Sequence, residues 1–368
     1  MTIHAGSPTA EAAVSQKIID CDIHPKLSSA NDLMPFLSQR WQDHLKTYGL
    51  RYRMGYQDGN PYPKAALASS RRDTWPAGGG LPGSDVGLLQ SQLLDLYDME
   101  FGIMNPLWPT GQGVLGDEFS AALCRATNLW QLDLYNAPEP RLKCSICVPY
   151  ENGELARDEI RHYAGDRRFA QVLLLSRTAE LLGQRRYWPI FEAAQEARLP
   201  VGIHVFGYSG QAISAAGWPS YYIEEMTEHA PSAQAMLASM VFEGLFERYP
   251  GTRIVLLEAG LAWMPALAWR LDRLWARMRD EVPHVKRPPS EYLRQHVWLA
   301  TQPMEEPDNK RHLVDVLDWI GHDRVVFSSD YPHWDFDDPR HALPPHIGPE
   351  LKRAILHDNA AALYGATG

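Results

Sequence analysis

The feature that most constrains this chain is an alternation that runs its whole length. Short apolar, β-branched runs take turns with longer segments whose apolar residues recur at i, i+3 and i+4. The strand-like runs are Lys17–Ile23, Gly102–Leu107, Arg141–Val148, Phe169–Leu175, Pro200–Val205, Thr252–Leu257, Val297–Ala300 and Arg324–Ser328. The helical patterns are Ser91–Glu100, Glu118–Tyr135, Leu155–Ala164, Tyr187–Ala197, Ala230–Tyr249, Trp263–Glu281, Asn309–Ile320 and Glu350–Leu363. Strict strand–helix alternation predicts a parallel sheet covered by helices. Eight such units predict a closed (β/α)8 TIM barrel rather than an open doubly wound sheet. The first run is also not followed by G-x-G-x-x-G, as a dinucleotide fold would require. A length of 368 residues suits one such barrel carrying insertions.

Composition narrows the partners. A net charge of -10 argues against a broad nucleic-acid or anionic-membrane footprint, which needs clustered Lys and Arg. No stretch approaches the 18 apolar residues of a membrane span. Residues 1–16 lack the basic start and apolar core of a secretory signal, so they are expected to be a flexible tail ahead of a single barrel domain, 17–368. Cys144 and Cys147 have C-x-x-C spacing, but they sit within one predicted strand, where residues three apart face opposite ways. They are expected to be buried reduced thiols in a cytoplasmic protein.

The departures from an ideal barrel are two long insertions. Residues 25–87 follow the first strand and are rich in Tyr, Arg, Pro and Gly; residues 206–232 follow the fifth and carry Trp218, Tyr221 and Tyr222. Loops of this length are usually lids, binding loops or partner surfaces. Both leave from strand C-termini, the face on which barrel active sites are built. The first is therefore expected to be a lid or partner-contact loop, and a homodimer is the expected assembly.

The chemistry-bearing residues lie at the same strand ends. Asp22 and His24, two apart at the end of the first strand, project from one face. His204 ends the fifth run, Glu258 lies just past the sixth and Asp330 just past the eighth. A D-x-H pair alone arises by chance in a chain with 14 histidines, and a lone strand-end histidine is often an ordinary core residue. Ionisable side chains at four strand ends of one barrel would instead converge on one small volume. Unpaired buried charge is costly, and a divalent cation is the simplest compensation. The expected ligands are Asp22, His24, His204 and Asp330. Glu258 is either an acid/base or an orienting group, and His333 either a proton shuttle or a histidine that steadies the turn at Pro332. Trp108 and Trp334 are candidate substrate contacts.

Several of these residues fall in recognisable motifs: Asp22-Ile-His24-Pro, Leu199-Pro-Val-Gly-Ile-His204, Phe246-Glu-Arg-Tyr-Pro250 leading to Leu257-Glu-Ala-Gly260, Ser329-Asp-Tyr-Pro-His333-Trp and His357-Asp-Asn-Ala-Ala-Ala-Leu-Tyr364. With them the chain resembles the amidohydrolase superfamily, in the branch of aminocarboxymuconate-semialdehyde and resorcylate-type decarboxylases. The resemblance implies that Asp22 and His24 stand where the family has H-x-H or E-x-H, and that His204 is the fifth-strand ligand. It further implies that Asp330 both touches the metal and moves protons. Two departures follow: Asp22 replaces a histidine, and Glu258 occupies a sixth-strand position that is often a catalytic His. Oxygen ligands harden the site, making Mn as plausible as Zn. The reading placed first is hydrolysis of a small organic substrate, by metal-activated water with Asp330 as general base. The second is non-oxidative decarboxylation of an aromatic or enoic acid, and the third a barrel that binds without catalysis.

Overall fold

The computed structural model describes residues 16–51, 67–108, 111–207, 212 and 217–365. The expected N-terminal tail lies outside the described residues, apart from Gln16. Eight strands, β1 (Ile18–Ile23), β2 (Met99–Met104), β3 (Leu142–Cys147), β4 (Phe169–Arg177), β5 (Val201–Gly207), β6 (Ile254–Leu257), β7 (Val297–Ala300) and β8 (Val325–Val326), form one sheet in sequential order. Every neighbouring pair is parallel. Between β8 and β1 the ring is closed by backbone bonds from Cys21 N to Phe327 O (3.0 Å), His24 N to Tyr331 O (2.8 Å) and Asp330 N to Asp22 O (3.2 Å). The expected TIM barrel is therefore what the chain adopts.

The helices cover the sheet because their apolar faces match it. Asp117–Gln131, His229–Phe242 and Met264–Arg277 contribute Leu123, Trp130, Met236, Met240, Met264 and Leu271 to the main core. A second cluster joins strand residues such as Ile19, Phe101, Val255 and Trp298 to Ala360 and Leu363 of the closing helix, Asn359–Tyr364. Polar groups on these faces have backbone work to do. β2 pairs with β3 only at Leu142 and Lys143, so β3 beyond that point lacks a backbone partner on one side. Asn128 and Gln131 supply it: each side-chain amide both donates to and accepts from the β3 backbone, at Cys147 and Ser145 respectively (2.8–3.2 Å).

Several boundaries differ from the sequence-based expectation. β2 stops at Met104, because Pro106 has no N–H to continue the ladder, and it starts earlier, at Met99. β8 is reduced to Val325–Val326, since Phe327 N, Ser328 N and Ser329 N turn to Ile355 O, Thr301 Oγ1 and Asp20 Oδ1. The first insertion holds helix Gln39–Tyr48, and helix Pro289–His296 precedes β7; neither was expected. All four cysteines are free and buried, with Cys144 and Cys147 in separate packing clusters. No helix among the described residues is long and apolar enough to cross a membrane.

The closing helix is anchored by His357, whose ring bonds Glu100 Oε2 on β2 and Asp358 Oδ1, both at 2.9 Å. Burial works against the ring's charge, but these two acids outweigh it and hold the His357 pKa above its ordinary value. Its contribution to stability is thus full below the unfolded pKa near ~6.5 and disappears as pH rises through the folded value. Because the ring is partly exposed, His357→Gln is expected to cost about 0.5–1 kcal/mol at pH 6 and clearly less at pH 9, read from urea midpoints. An equal cost at both pH values would remove the charge from this account.

Candidate metal centre and active site

The rim above β1, β5, β6 and β8 gathers all six expected metal and catalytic residues. His24 Nε2 lies 3.3 Å from Asp22 Oδ1, 2.9 Å from Asp330 Oδ1 and 3.9 Å from Glu258 Oε1. His204 Nε2 lies 3.5 Å from Asp22 Oδ2 and 3.4 Å from Glu258 Oε1. The His24 ring stands edge-on to His204 and stacks on His333, with centroids 5.0 and 4.5 Å apart. His333 Nδ1 bonds Asp330 Oδ1 at 2.5 Å and lies 3.8 Å from Glu258 Oε1.

Two overlapping donor sets emerge. Asp22, His24, His204 and Glu258 form one quartet, and His24, Glu258, Asp330 and His333 a second, with donor atoms of each within 4.8 Å of one another. The quartet holding both His24 and His204 thus includes Glu258, where the sequence pointed to Asp330; Asp330 belongs to the adjoining set. The cause is backbone. Glu258 has φ 53° and Asp330 φ 60°, left-handed conformations that only turn residues readily adopt. Each takes its side chain out of strand alternation, which the expectation had assumed.

The donor set suits a divalent cation. His24 Nδ1 faces Asn105 O at 2.9 Å and His204 Nδ1 faces Val205 O, so each ring in its neutral form carries its proton on Nδ1 and turns a bare Nε2 to the site. His24 Nε2, His204 Nε2 and Asp22 Oδ2 are buried and have no hydrogen-bond partner. Two imidazole nitrogens beside carboxylate oxygens make a mixed, oxygen-rich set that Mn or Zn accepts.

Electrostatics agree with the geometry. Burial pushes the His24 pKa down to about 4, so this ring is neutral. Burial opposes charge on His204 as well, but Glu258 and Asp22 beside it hold its pKa well above the ordinary value. Glu258 is correspondingly held low by His204 in spite of its burial. Asp330 is pushed well up, first by burial and then by Glu258 and Asp335. Three carboxylates thus share one small volume and compete for positive charge.

Residues beyond the expected set complete the site. Gln302 Nε2 reaches Asp330 Oδ2 (3.4 Å) and Asp335 Oδ2 (3.2 Å). Asn105, just past β2, donates to Asp22 Oδ1 at 2.8 Å. Its signal was available: a polar residue where an apolar strand ends, obscured by reading that strand through Leu107. Trp108 and Trp334 are 38% and 43% exposed, and Trp334 Nε1 donates to Tyr222 OH. The first insertion reaches the site through Arg71 N to Pro332 O (3.0 Å) and Trp334 N to Ser69 O (2.8 Å), either side of His333.

Known proteins share this architecture. Gamma-resorcylate decarboxylase from Polaromonas sp. (strain JS666 / ATCC BAA-500) is 24% identical over 287 residues, 70% of this chain and 84% of that protein. The enzyme of that name from Rhodococcus jostii (strain RHA1) is 23% identical over 312 residues, 78% of this chain and 92% of its own. Among solved structures, an amidohydrolase from Mycobacterium avium subsp. paratuberculosis K-10 superposes with a TM-score of 0.71 at 23% identity, covering 96% of this chain and 100% of that one. A dihydroxybenzoic acid decarboxylase from Polaromonas sp. JS666, with bound manganese and the inhibitor 2-nitroresorcinol, superposes with a TM-score of 0.64 at 20% identity, covering 95% and 97%. Residues 19–366 match the family described as Amidohydrolase, and the chain belongs to that family.

Proposed function

We propose that this protein is a metal-dependent, non-oxidative decarboxylase of an aromatic acid that carries an oxygen beside its carboxylate. The observation that carries this choice is that the curated relatives, aligned over 70% and 78% of the chain, are decarboxylases. The site geometry by itself suits hydrolysis equally, so the hydrolytic reading placed first on sequence yields to the second. A barrel without catalysis has the least support, since the donor quartet is complete.

In this reading Asp22, His24, His204 and Glu258 hold the cation, with Asp330 beside them. When bound, the cation supplies positive charge that binds the substrate's carboxylate and neighbouring oxygen. The chain's own residues handle the proton. Decarboxylation breaks the ring-carbon–carboxylate bond, releases CO2, places a proton on that carbon and changes no oxidation state of the protein. Asp330, buried and bonded to His333, delivers that proton. His333, whose side chain is 15% exposed, returns one from solvent to Asp330. Gln302 holds the other Asp330 oxygen and so fixes the direction of delivery. The segment around Ser69–Arg71, bonded on both sides of His333, supports a lid role for residues 25–87 that limits water at the proton path.

Two outcomes are expected. Purified protein is expected to carry about one divalent ion per chain by elemental analysis, as a single mixed N/O site requires. Asp22→Ala and His204→Ala are expected to lose most of it, and full retention in both would displace the site. Manganese-loaded protein is expected to release CO2 from ortho-hydroxybenzoates, and Asp330→Asn to lower kcat by roughly 10²–10⁴. Acid production from amides or lactones without CO2 release would reverse the choice between the two chemistries.

A further inference from the structure

The two ligands of β1 are held by one residue outside the motifs, Asn105. Its backbone grips β1 twice: Asn105 N donates to Ile23 O at 2.7 Å, and Asn105 O accepts from His24 Nδ1 at 2.9 Å. Its side chain donates through Nδ2 to Asp22 Oδ1 (2.8 Å) and Cys21 O (3.1 Å). Asn105 Oδ1 accepts from Ser145 Oγ (2.8 Å) and Gln171 Nε2 (2.9 Å). Gln171 Nε2 also donates to Ser145 Oγ (3.2 Å), and Gln171 Oε1 accepts from Tyr364 OH (3.0 Å).

The amide hydrogens are all accounted for. Asn105 makes its full complement of two donations and two acceptances. Because two donors converge on Oδ1, the amide has one orientation, with its nitrogen toward Asp22. That nitrogen takes up one acceptor position of Asp22 Oδ1, which also lies 3.3 Å from His24 Nε2, and leaves Oδ2, which has no hydrogen-bond partner, facing His204 Nε2 at 3.5 Å. The orientation of Gln171 is set in turn by Tyr364, which lies on the closing helix. Gly202 makes room for it, since a Cβ there would lie 2.6–2.7 Å from the Gln171 amide. All five residues, Asn105, Ser145, Gln171, Gly202 and Tyr364, lie outside the donor sets.

We infer that Asn105 is a positioning residue that selects Asp22 Oδ2 as the cation-facing oxygen and fixes His24 as an Nε2 donor, its orientation set by Ser145, Gln171 and Tyr364. The inference rests on the metal-dependent reading above. Gln171→Glu is the sharpest test, because it changes neither a ligand nor Asn105 itself and acts on Asn105 through the Gln171 Nε2 donation to Asn105 Oδ1. A glutamate accepts from Tyr364 but has no hydrogen for Asn105 Oδ1. The Asn105 amide then turns over and presents its oxygen to Asp22. Asn105→Asp removes the donor directly, and Ser145→Ala leaves the Gln171 donor in place.

The measurement is Mn²⁺ affinity of chelator-stripped protein by titration calorimetry, with the EPR spectrum of bound Mn²⁺ and, separately, the melting temperature of the stripped protein. Gln171→Glu and Asn105→Asp are expected to bind Mn²⁺ about 10–100-fold more weakly with an altered spectrum, and Ser145→Ala to change affinity less. Unchanged affinity and spectrum in Gln171→Glu, with only the melting temperature lowered, would overturn the inference and leave a structural network. Should Asn105→Asp fail to fold, Gln171→Glu decides alone. Parent protein that takes up no Mn²⁺ would sink the metal-dependent reading itself, a result distinct from the variants matching the parent.

Discussion

Everything at the rim depends on how the barrel closes. Strands β1 and β8 lie at opposite ends of the chain and are joined by three backbone bonds, one of them from Asp330 N to Asp22 O. That bond sets residues 308 positions apart side by side, and it does so with main chain, so their proximity does not depend on their mutual attraction. Asp20 strengthens the same seam by accepting from both Asp22 N and Ser329 N. Burial raises the Asp20 pKa to about 7. Two buried carboxylates forced together would repel. The fold therefore creates a demand for positive charge before any ligand arrives, and His204 and the ion-sized donor set around it are what the site offers to meet it.

How much of this was legible in the sequence follows from the range of each interaction. The barrel was legible because strand–helix alternation is a local pattern repeated along the chain. Asp22, His24 and His204 were legible because a polar side chain ending an apolar strand has few places to point except the rim. The place of Glu258 beside His24 and His204 in one donor set, with Asp330 in the adjoining one, was not. It depends on two left-handed backbone turns just past β6 and β8, and no periodicity announces a positive φ at Glu or Asp. Helix Pro289–His296 was missed for another reason: its apolar residues Tyr292 and Leu293 are adjacent, giving little helical repeat. Asn105, Gln171 and Ser145 became meaningful only once β2, β3 and β4 were set beside one another, because their side-chain partners are 26 to 193 residues away.

The two left-handed acids also say something about what the fold tolerates. A non-glycine residue in that region costs about 1 kcal/mol or more, and it persists where surrounding contacts over-determine it. Around Asp330 these are its own N–H on Asp22 O, the His333 N–H on its carbonyl and the His333 ring on its carboxylate. Past Glu258 the chain is held by the Glu305 carboxylate, which accepts from Leu261 N and Ala262 N at 3.0 Å, while Gly260 turns at φ 68° against the same side chain. Local preference is thus overruled at the two residues whose carboxylates must leave their strands and cross the mouth.

A glutamate at position 258, where the family resemblance implies that a histidine is common, has a consequence for charge. An imidazole at that place would bring a neutral donor, whereas glutamate brings another negative charge to a rim that already holds Asp22 and Asp330. The added charge strengthens the pull on a dication, and an oxygen donor keeps the site open to a hard ion such as Mn as well as to Zn. It also adds its repulsion to the burial that pushes the Asp330 pKa well up, toward the form in which a carboxyl can give a proton away. One side chain therefore bears on both requirements of the proposed decarboxylation: a site that would hold a cation, and an acid beside it placed to give up a proton.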